Sequence, residues 1–341
     1  MHCDAGVILT ESSLTEKSEM FQYCPLKACP KNRTFMSLTS NSAGNGEKMT
    51  QQASKSSTKF VTIFDDTYNQ PDCRSYYRML RRLGYSNHAH AVPVFRAVLA
   101  ELCHLRGLSA PNVFDFASSY GIVTALTKHD VSATAFLDRY EGRALENASA
   151  EEMRQLDREW LAGLPERWPG AGFSGVDVAE NAAGYAQAVG LFDQGFAEDL
   201  QNNAPSPALA ERLAKTDLII ECGSVAHLMP DALDRLLSAA KRRPWLVTSP
   251  VRGNERKAAF EVMADHGLKV ETLDLPPFAH RKFENGTEQA RAIEIARAAG
   301  HKTEGYENTG FFFAQIYVAR PADEASAPAT WQVPPSQGGK T

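Results

Sequence analysis

Two stretches of the chain place an acid at the end of an apolar run and follow it with small residues. The first is VFDFASSYG, residues 113–121, where Asp115 lies inside the end of the run and Ala117, Ser118, Ser119, Tyr120 and Gly121 lead onward. Small side chains there let a ligand come close to the main chain. The second is GVDVAENAAGYAQAVGL, residues 175–191, a short apolar strand ending in Asp177 and Val178 before a helix of small residues. An acid at the end of the second strand of a nucleotide-binding unit accepts hydrogen bonds from ribose hydroxyls, and the competing reading is a surface Asp beside a helix N-terminus. Proton transfer has two candidate groups that titrate near neutral pH, His227 and His280. Each is also in a place where a histidine often serves only as a helix cap or a surface residue. Tyr85, Asn87, His88 and His90 form a polar loop before the first long predicted helix, with Tyr76 and Tyr77 close by. They either line a pocket or, in the case of the tyrosines, pack in the core.

These residues have to be held by elements that the pattern predicts. VPVFRAVLAELCHLRG puts Val92, Phe95, Leu99 and Leu102 on one helical face, with Pro93 in the first turn and Gly107 as terminator. A strand follows at residues 112–117, and strand-like runs then alternate with amphipathic helices. DLII (217–220) is a buried-strand run, and a helix is expected from Pro230 to about Lys241, with Asp231 and Asp234 in its first turn and Pro244 ending it. PWLVTSPV is the next strand, and NERKAAFEVMADHG the next helix, from an Asn254 N-cap to Gly267. LKVETLD, a helical stretch from about Thr287 to Ala299, and a single strand GFFFAQIYVARP close the order, with AHRKFE as a loop between. Such alternation predicts an α/β fold with a mostly parallel sheet covered on both faces. Residues 127–172 do not fit it and read as a helical insert after the first βα unit. Ser149 and Glu152 have capping-box spacing there, and Met153, Leu156, Trp160 and Leu164 follow at helical intervals. The insert either caps a substrate site or only packs on the body.

With these stretches in view, the chain resembles the class I, Rossmann-like S-adenosylmethionine-dependent methyltransferases over roughly residues 76–320. In that family a strand ends in an acid and a G-x-G-x-G loop brings the backbone close to the cofactor. Asp115 stands at the acidic position, and Ala117, Ser119 and Gly121 at the three glycine positions, two of them replaced by other small residues. The resemblance implies S-adenosyl-L-methionine held by Asp115, the 117–121 loop, Asp177 with Val178, Asp199 and Leu200 of GFAEDLQ, and Glu221 and Gly223 of TDLIIECGSVAHL. It also implies a seven-stranded sheet whose last strand runs antiparallel. The family's catalytic residues vary with substrate, so His227 and His280 stay candidates for a base, and Tyr85, Asn87 and Arg281 candidates for binding the acceptor. Methyl transfer from a sulfonium needs alignment and exclusion of water; a hydroxyl acceptor also needs a base, while a neutral amine or a carboxylate does not. A nicotinamide-dependent oxidoreductase is the alternative, but its G-x-G-x-x-G would need its last glycine at Ile122. A catalytically silent binding module of the same fold is the other alternative.

Composition sets the outer bounds. The 341 residues are 43% hydrophobic, ample for a real core, and a net charge of -5 gives no excess of Lys and Arg for a polyanion. A small polar metabolite, not nucleic acid or membrane, is therefore the expected partner, with the chain a monomer or homodimer. The six scattered cysteines form no CxxC pair, and no metal site is expected. Residues 1–58 are polar and aperiodic, which predicts a disordered extension, with an organellar transit peptide as the alternative. The expected methyltransferase domain is 59–320, followed by a flexible tail at 321–341. No apolar run is long enough to span a bilayer and no signal pattern opens the chain, so a cytoplasmic location is expected.

Overall fold

The computed structural model describes residues 67–223, 230–254 and 257–325. The expected disordered extension, His227, Glu255, Arg256 and residues 326–341 lie outside the described residues.

Helices α1 (Arg74–Arg82) and α2 (Asn87–Arg106) precede strand β1 (Asn112–Phe116) and helix α3 (Ile122–Lys128). The insert holds α4 (Ala133–Asp138), two short 3-10 turns and α5 (Ala150–Ala162). There follow β2 (Gly172–Asp177), α6 (Glu180–Ala188), β3 (Gln194–Ala197), α7 (Pro207–Leu213), β4 (Leu218–Glu221), α8 (Pro230–Ala239), β5 (Trp245–Thr248), α9 (Lys257–Asp265) and β6 (Leu268–Thr272). The order closes with β7 (Phe278–Lys282), α10 (Gly286–Ala298), β8 (Phe311–Ala314) and β9 (Tyr317–Pro321).

Seven strands form one sheet in the order β3-β2-β1-β4-β5-β9-β6, and β7 with β8 forms a separate two-stranded ribbon. The pairs β1–β2, β1–β4, β2–β3 and β4–β5 are parallel, while β9 runs antiparallel to both β5 and β6. Alternation along the strands sends side chains to two cores. Val113, Leu218, Ile220, Trp245 and Val247 pack with residues of α1, α2, α3 and α6. Phe114, Phe116, Ile219 and Leu246 pack with residues of α7, α8 and α9. This is the α/β sheet with helices on both faces that the alternation predicts, with the antiparallel last strand. Among the described residues no helix is long and apolar enough to cross a membrane.

Four expectations are corrected. First, α2 begins at Asn87, with Ser86 before it, so Pro93 is inside the helix and Asn87, His88 and His90 are on it rather than in a loop. Second, the AHRK part of AHRKFE belongs to a strand, β7, and GFFFAQIYVARP holds two strands, β8 in the ribbon and β9 in the main sheet. Third, β9 runs to Pro321, and Glu324 accepts hydrogen bonds from Arg106 Nε and Trp245 Nε1, so the ordered chain passes beyond 320. Fourth, the capping box of Ser149 and Glu152 is present, but the buried face of α5 is Met153, Asp157 and Leu161, and Leu156 is exposed. Asp157 is tolerated there because Arg139 Nε (2.9 Å), Tyr140 Oη (3.3 Å) and Tyr185 Oη all donate to it. These contacts tie the insert to α6, and Phe136 on α4 packs its ring edge-on against Tyr77 of α1. Such contacts attach the insert to the body of the domain.

Candidate active site

The loop after β1 keeps the backbone form that glycine would favour. Ala117 has φ +56°, Ser119 +50° and Gly121 +81°, so all three positions of the alternating pattern are left-handed. A left-handed non-glycine residue costs about 1–2 kcal/mol. Hydrogen bonds hold the loop in that form: Ser118 N–H donates to Val176 O (3.1 Å), Gly121 N–H to Ser118 O (2.9 Å), and Ser119 N–H to Asp177 Oδ2 (2.8 Å). At Gly121 a Cβ would come within 3.1 Å of Ala186 Cβ and Leu191 Cδ1, so glycine there also lets α6 pack closely.

Asp177, at the end of β2, collects three donors. Besides Ser119 N–H, Ala179 N–H gives to Oδ1 at 2.9 Å and Tyr68 Oη to Oδ2 at 2.8 Å. Burial raises its pKa, and these donors act against that rise. Tyr68, Tyr76 and Tyr120 form an aromatic wall beside it, with ring centroids 5.4–6.5 Å apart. Asp115 is buried on the neighbouring strand and accepts from Thr124 Oγ1 at 2.8 Å. Burial, aided by the charges of Glu221 and Asp177, pushes its pKa up to about 7 against the pull of Thr124. Glu221, wholly buried at the end of β4, accepts from Thr248 Oγ1. Three adjacent strands therefore present three carboxylates at their carboxyl ends, where open α/β sheets bind ligands.

Beyond β4 lies a second cluster. Asn87 opens α2, and its Nδ2 donates to Cys222 Sγ (3.2 Å) and Ser249 Oγ (3.3 Å). Its Oδ1 is buried without a hydrogen-bond partner, as is His88 Nδ1. His88 lies flat on the ring of Tyr85 with centroids 4.9 Å apart, and burial lowers its pKa to about 4, so it is neutral. Tyr85 Oη and His280 Nε2 are 3.1 Å apart. Gly223, at φ +97°, closes the cluster: a Cβ there would lie 3.0 Å from His280 Nε2 and 3.2 Å from Asn87 Nδ2. Main-chain bonds fix the two rims together, since Ser86 N–H donates to His280 O (2.7 Å) and Lys282 N–H to Leu83 O (2.9 Å).

The structure thus brings together His280, Tyr85, Asn87 and Gly223 on one side, and Asp115, the 117–121 loop and Asp177 on the other. Arg281 is not brought to Asn87: it makes two bonds to Glu288 (2.7 and 3.1 Å) and stacks on Phe312. Asp199 closes its own turn, accepting from Gln201 N–H and Asn202 Nδ2, and Leu200 is buried in the core beneath. Val178 is an exposed apolar side chain beside Asp177. Sequence reasoning missed Tyr68, Thr248 and Ser249. The last two carry a usable signal, because they fall at the carboxyl end of the strand neighbouring β4; Tyr68 carries none.

No family model matches the chain. No curated protein matches it. Among solved structures, it is similar to a TehB-like S-adenosylmethionine-dependent methyltransferase from Corynebacterium glutamicum, at 14% identity over 71% of this chain and 95% of that one, TM-score 0.34. It is also similar to magnesium protoporphyrin IX methyltransferase from Synechocystis with bound S-adenosylmethionine, at 14% identity over 69% and 80%, TM-score 0.35. A third is a methyltransferase from Aquifex aeolicus, at 12% identity over 72% and 97%, TM-score 0.33. What the chain itself displays is a doubly wound sheet with a reversed last strand and two groups of polar residues at the carboxyl ends of its central strands.

Proposed function

We propose that the protein is an S-adenosylmethionine-dependent methyltransferase that acts on a small polar molecule. The observation that carries this reading is the loop 117–121, which holds left-handed backbone at all three of its alternating small residues and is tied through Ser119 N–H to Asp177. Strain of that kind persists where the surroundings over-determine it, and such places are commonly ligand sites.

The residues fit the cofactor. Asp177 Oδ1 and Oδ2 offer about four lone-pair sites, three of them used, so a ribose hydroxyl can be accepted, and release of Tyr68 admits the second. Val178 offers an exposed apolar surface beside them for a base. The tyrosine wall suits a cation, since ring faces attract positive charge. When bound, S-adenosylmethionine supplies an activated methyl on a sulfonium. The chain's part is to align the acceptor, exclude water and take up a proton where the acceptor carries one.

Calorimetry tests this. S-adenosylmethionine or its demethylated product is expected to bind with micromolar or tighter affinity, with no comparable heat from NAD or NADP. Preference for a nicotinamide cofactor overturns the reading.

A further inference from the structure

We infer that the acceptor is a neutral hydroxyl, held by Asn87 Oδ1 and deprotonated through a Tyr85–His280 relay, rather than a carboxylate or a charged amine. This rests on the methyltransferase reading.

The first argument is the unpaired oxygen. Asn87 is wholly buried on α2, its Nδ2 is used by Cys222 and Ser249, and its Oδ1 has no partner. A buried carbonyl left without a donor is costly, so the position calls for a ligand that brings an O–H or N–H. A carboxylate brings only further acceptors.

The second is charge. Glu221, next in sequence to Asn87's partner Cys222, is buried, and Asp177 lies two strands away; Asp115 between them keeps its proton up to about pH 7 and carries full charge only above it. Arg281, whose charge reaches Tyr85, is paired with Glu288, and His88 is neutral. An anion finds carboxylates here. An amine would be kept as its ammonium ion by the same carboxylates, and an ammonium has no electron pair with which to attack.

The third is a proton path. His280 is 4% exposed and out of direct reach, but Tyr85 is only partly buried and its Oη is 3.1 Å from His280 Nε2. In the transfer, an oxygen lone pair of the acceptor forms the new O–C bond, and the electrons of the broken C–S bond stay on sulfur. The acceptor's O–H proton passes to Tyr85 Oη as the Tyr85 proton passes to His280 Nε2, which later releases it to solvent. Tyr85 ends as it began. His88, stacked flat on its ring, keeps Tyr85 in line for this exchange.

The test needs no turnover. In the presence of saturating S-adenosylhomocysteine, binding of phenol, benzylamine and benzoate is measured by ligand-observed NMR; the three share a ring and differ in charge. Phenol is expected to bind at least about tenfold more tightly than either ion. Tyr85→Phe and His280→Gln are expected to reduce that preference to about threefold or less, with S-adenosylhomocysteine affinity within about twofold of the parent. The pair guards against a variant that fails to fold, and a purely structural role would lower all three affinities together. Equal or tighter binding of either ion, binding of none, or a preference that survives in whichever variants fold overturns the inference. If S-adenosylhomocysteine itself fails to bind, the proposed function falls and this inference with it; if it binds without the phenol preference, only the inference falls.

Discussion

The two groups of polar residues at the carboxyl ends of the central strands differ in how their carboxyl and amide groups are settled. On the β1–β2 side the two carboxylates have donors, Asp177 from Ser119, Ala179 and Tyr68 and Asp115 from Thr124, while the loop hydroxyls of Ser118 and Ser119 are buried without partners. On the β4–β5 side Asn87 Oδ1 and His88 Nδ1 are buried with none. A carboxylate held by main-chain donors, as Asp177 is by Ser119 and Ala179, is pre-organised even when Tyr68 yields to a ligand; an unpaired amide oxygen is completed by what binds. The first side is therefore expected to behave as a fixed cradle, and the second as the part that discriminates.

The largest expected effect concerns the cradle. Asp115 has a folded pKa of about 7, above the usual value near 4. In that interval the folded chain keeps a proton that the unfolded chain has lost, so stability falls as pH rises, by at most about 1.4 kcal/mol per unit, and levels off above pH 7. Denaturant melts at a series of pH values read this directly, and Asp115→Asn should flatten the curve. A slope unchanged in the variant would show that the cradle is not held by a neutral acid.

Next comes the discriminating side. Gly223→Val forces a branched side chain against His280 and Asn87 at a φ of +97°. Turnover on any acceptor should fall about a hundredfold or more while cofactor affinity, by calorimetry, stays within about threefold. A parallel loss of both would mean that the two sides are not separable.

Asp177→Ala is the mirror experiment. Charge-assisted bonds to a ribose are each worth about 1.5–3 kcal/mol, offset in part by water, so cofactor affinity should fall about ten- to a hundredfold. Turnover at saturating cofactor should hardly change, because the interaction is equal in ground and transition states.

The smallest effect is at Ala117 and Ser119. Replacing either by Gly relieves the left-handed strain but adds freedom to the unfolded chain, for a net gain of up to about 1 kcal/mol. The denaturant midpoint should rise slightly with cofactor affinity unchanged; a fall would mean that the side chains themselves support the cradle.

The same contrast governs what could be read from residues alone. Most of the cradle is local: around Asp115, and again around Asp177, strand, acid, small residues and helix succeed one another within about a dozen positions, so pattern and spacing suffice there, whereas Tyr68 reaches Asp177 from 109 positions away and leaves no local sign. The other side is assembled from afar. Phe278–Lys282 carries too many charges to read as a strand, and becomes one by pairing with β8 and with Leu83–Ser86. Phe311–Pro321 is one unbroken apolar run, and nothing in such a run marks where it leaves one sheet for another. Pro93 looked like a helix start because the turn before it, from Asn87, is rich in polar residues. Asp157 interrupts the apolar face of α5 and is buried only because Arg139, Tyr140 and Tyr185 converge on it, which no local pattern reveals.

The bond between Ser86 and His280 spans 194 residues. At a synthesis rate of about 5–20 residues per second, roughly 10 to 40 seconds separate the emergence of the two rims. All the residues of the cradle leave the ribosome before β5, whereas Asn87 and Tyr85 wait in water for the ribbon that will enclose them. Birth order therefore follows the two groups: a nascent chain completes the acid-and-loop side before the side around Asn87, and on the proposed function stalled chains ending near residue 260 should gain protease protection from S-adenosylmethionine without yet enclosing Asn87.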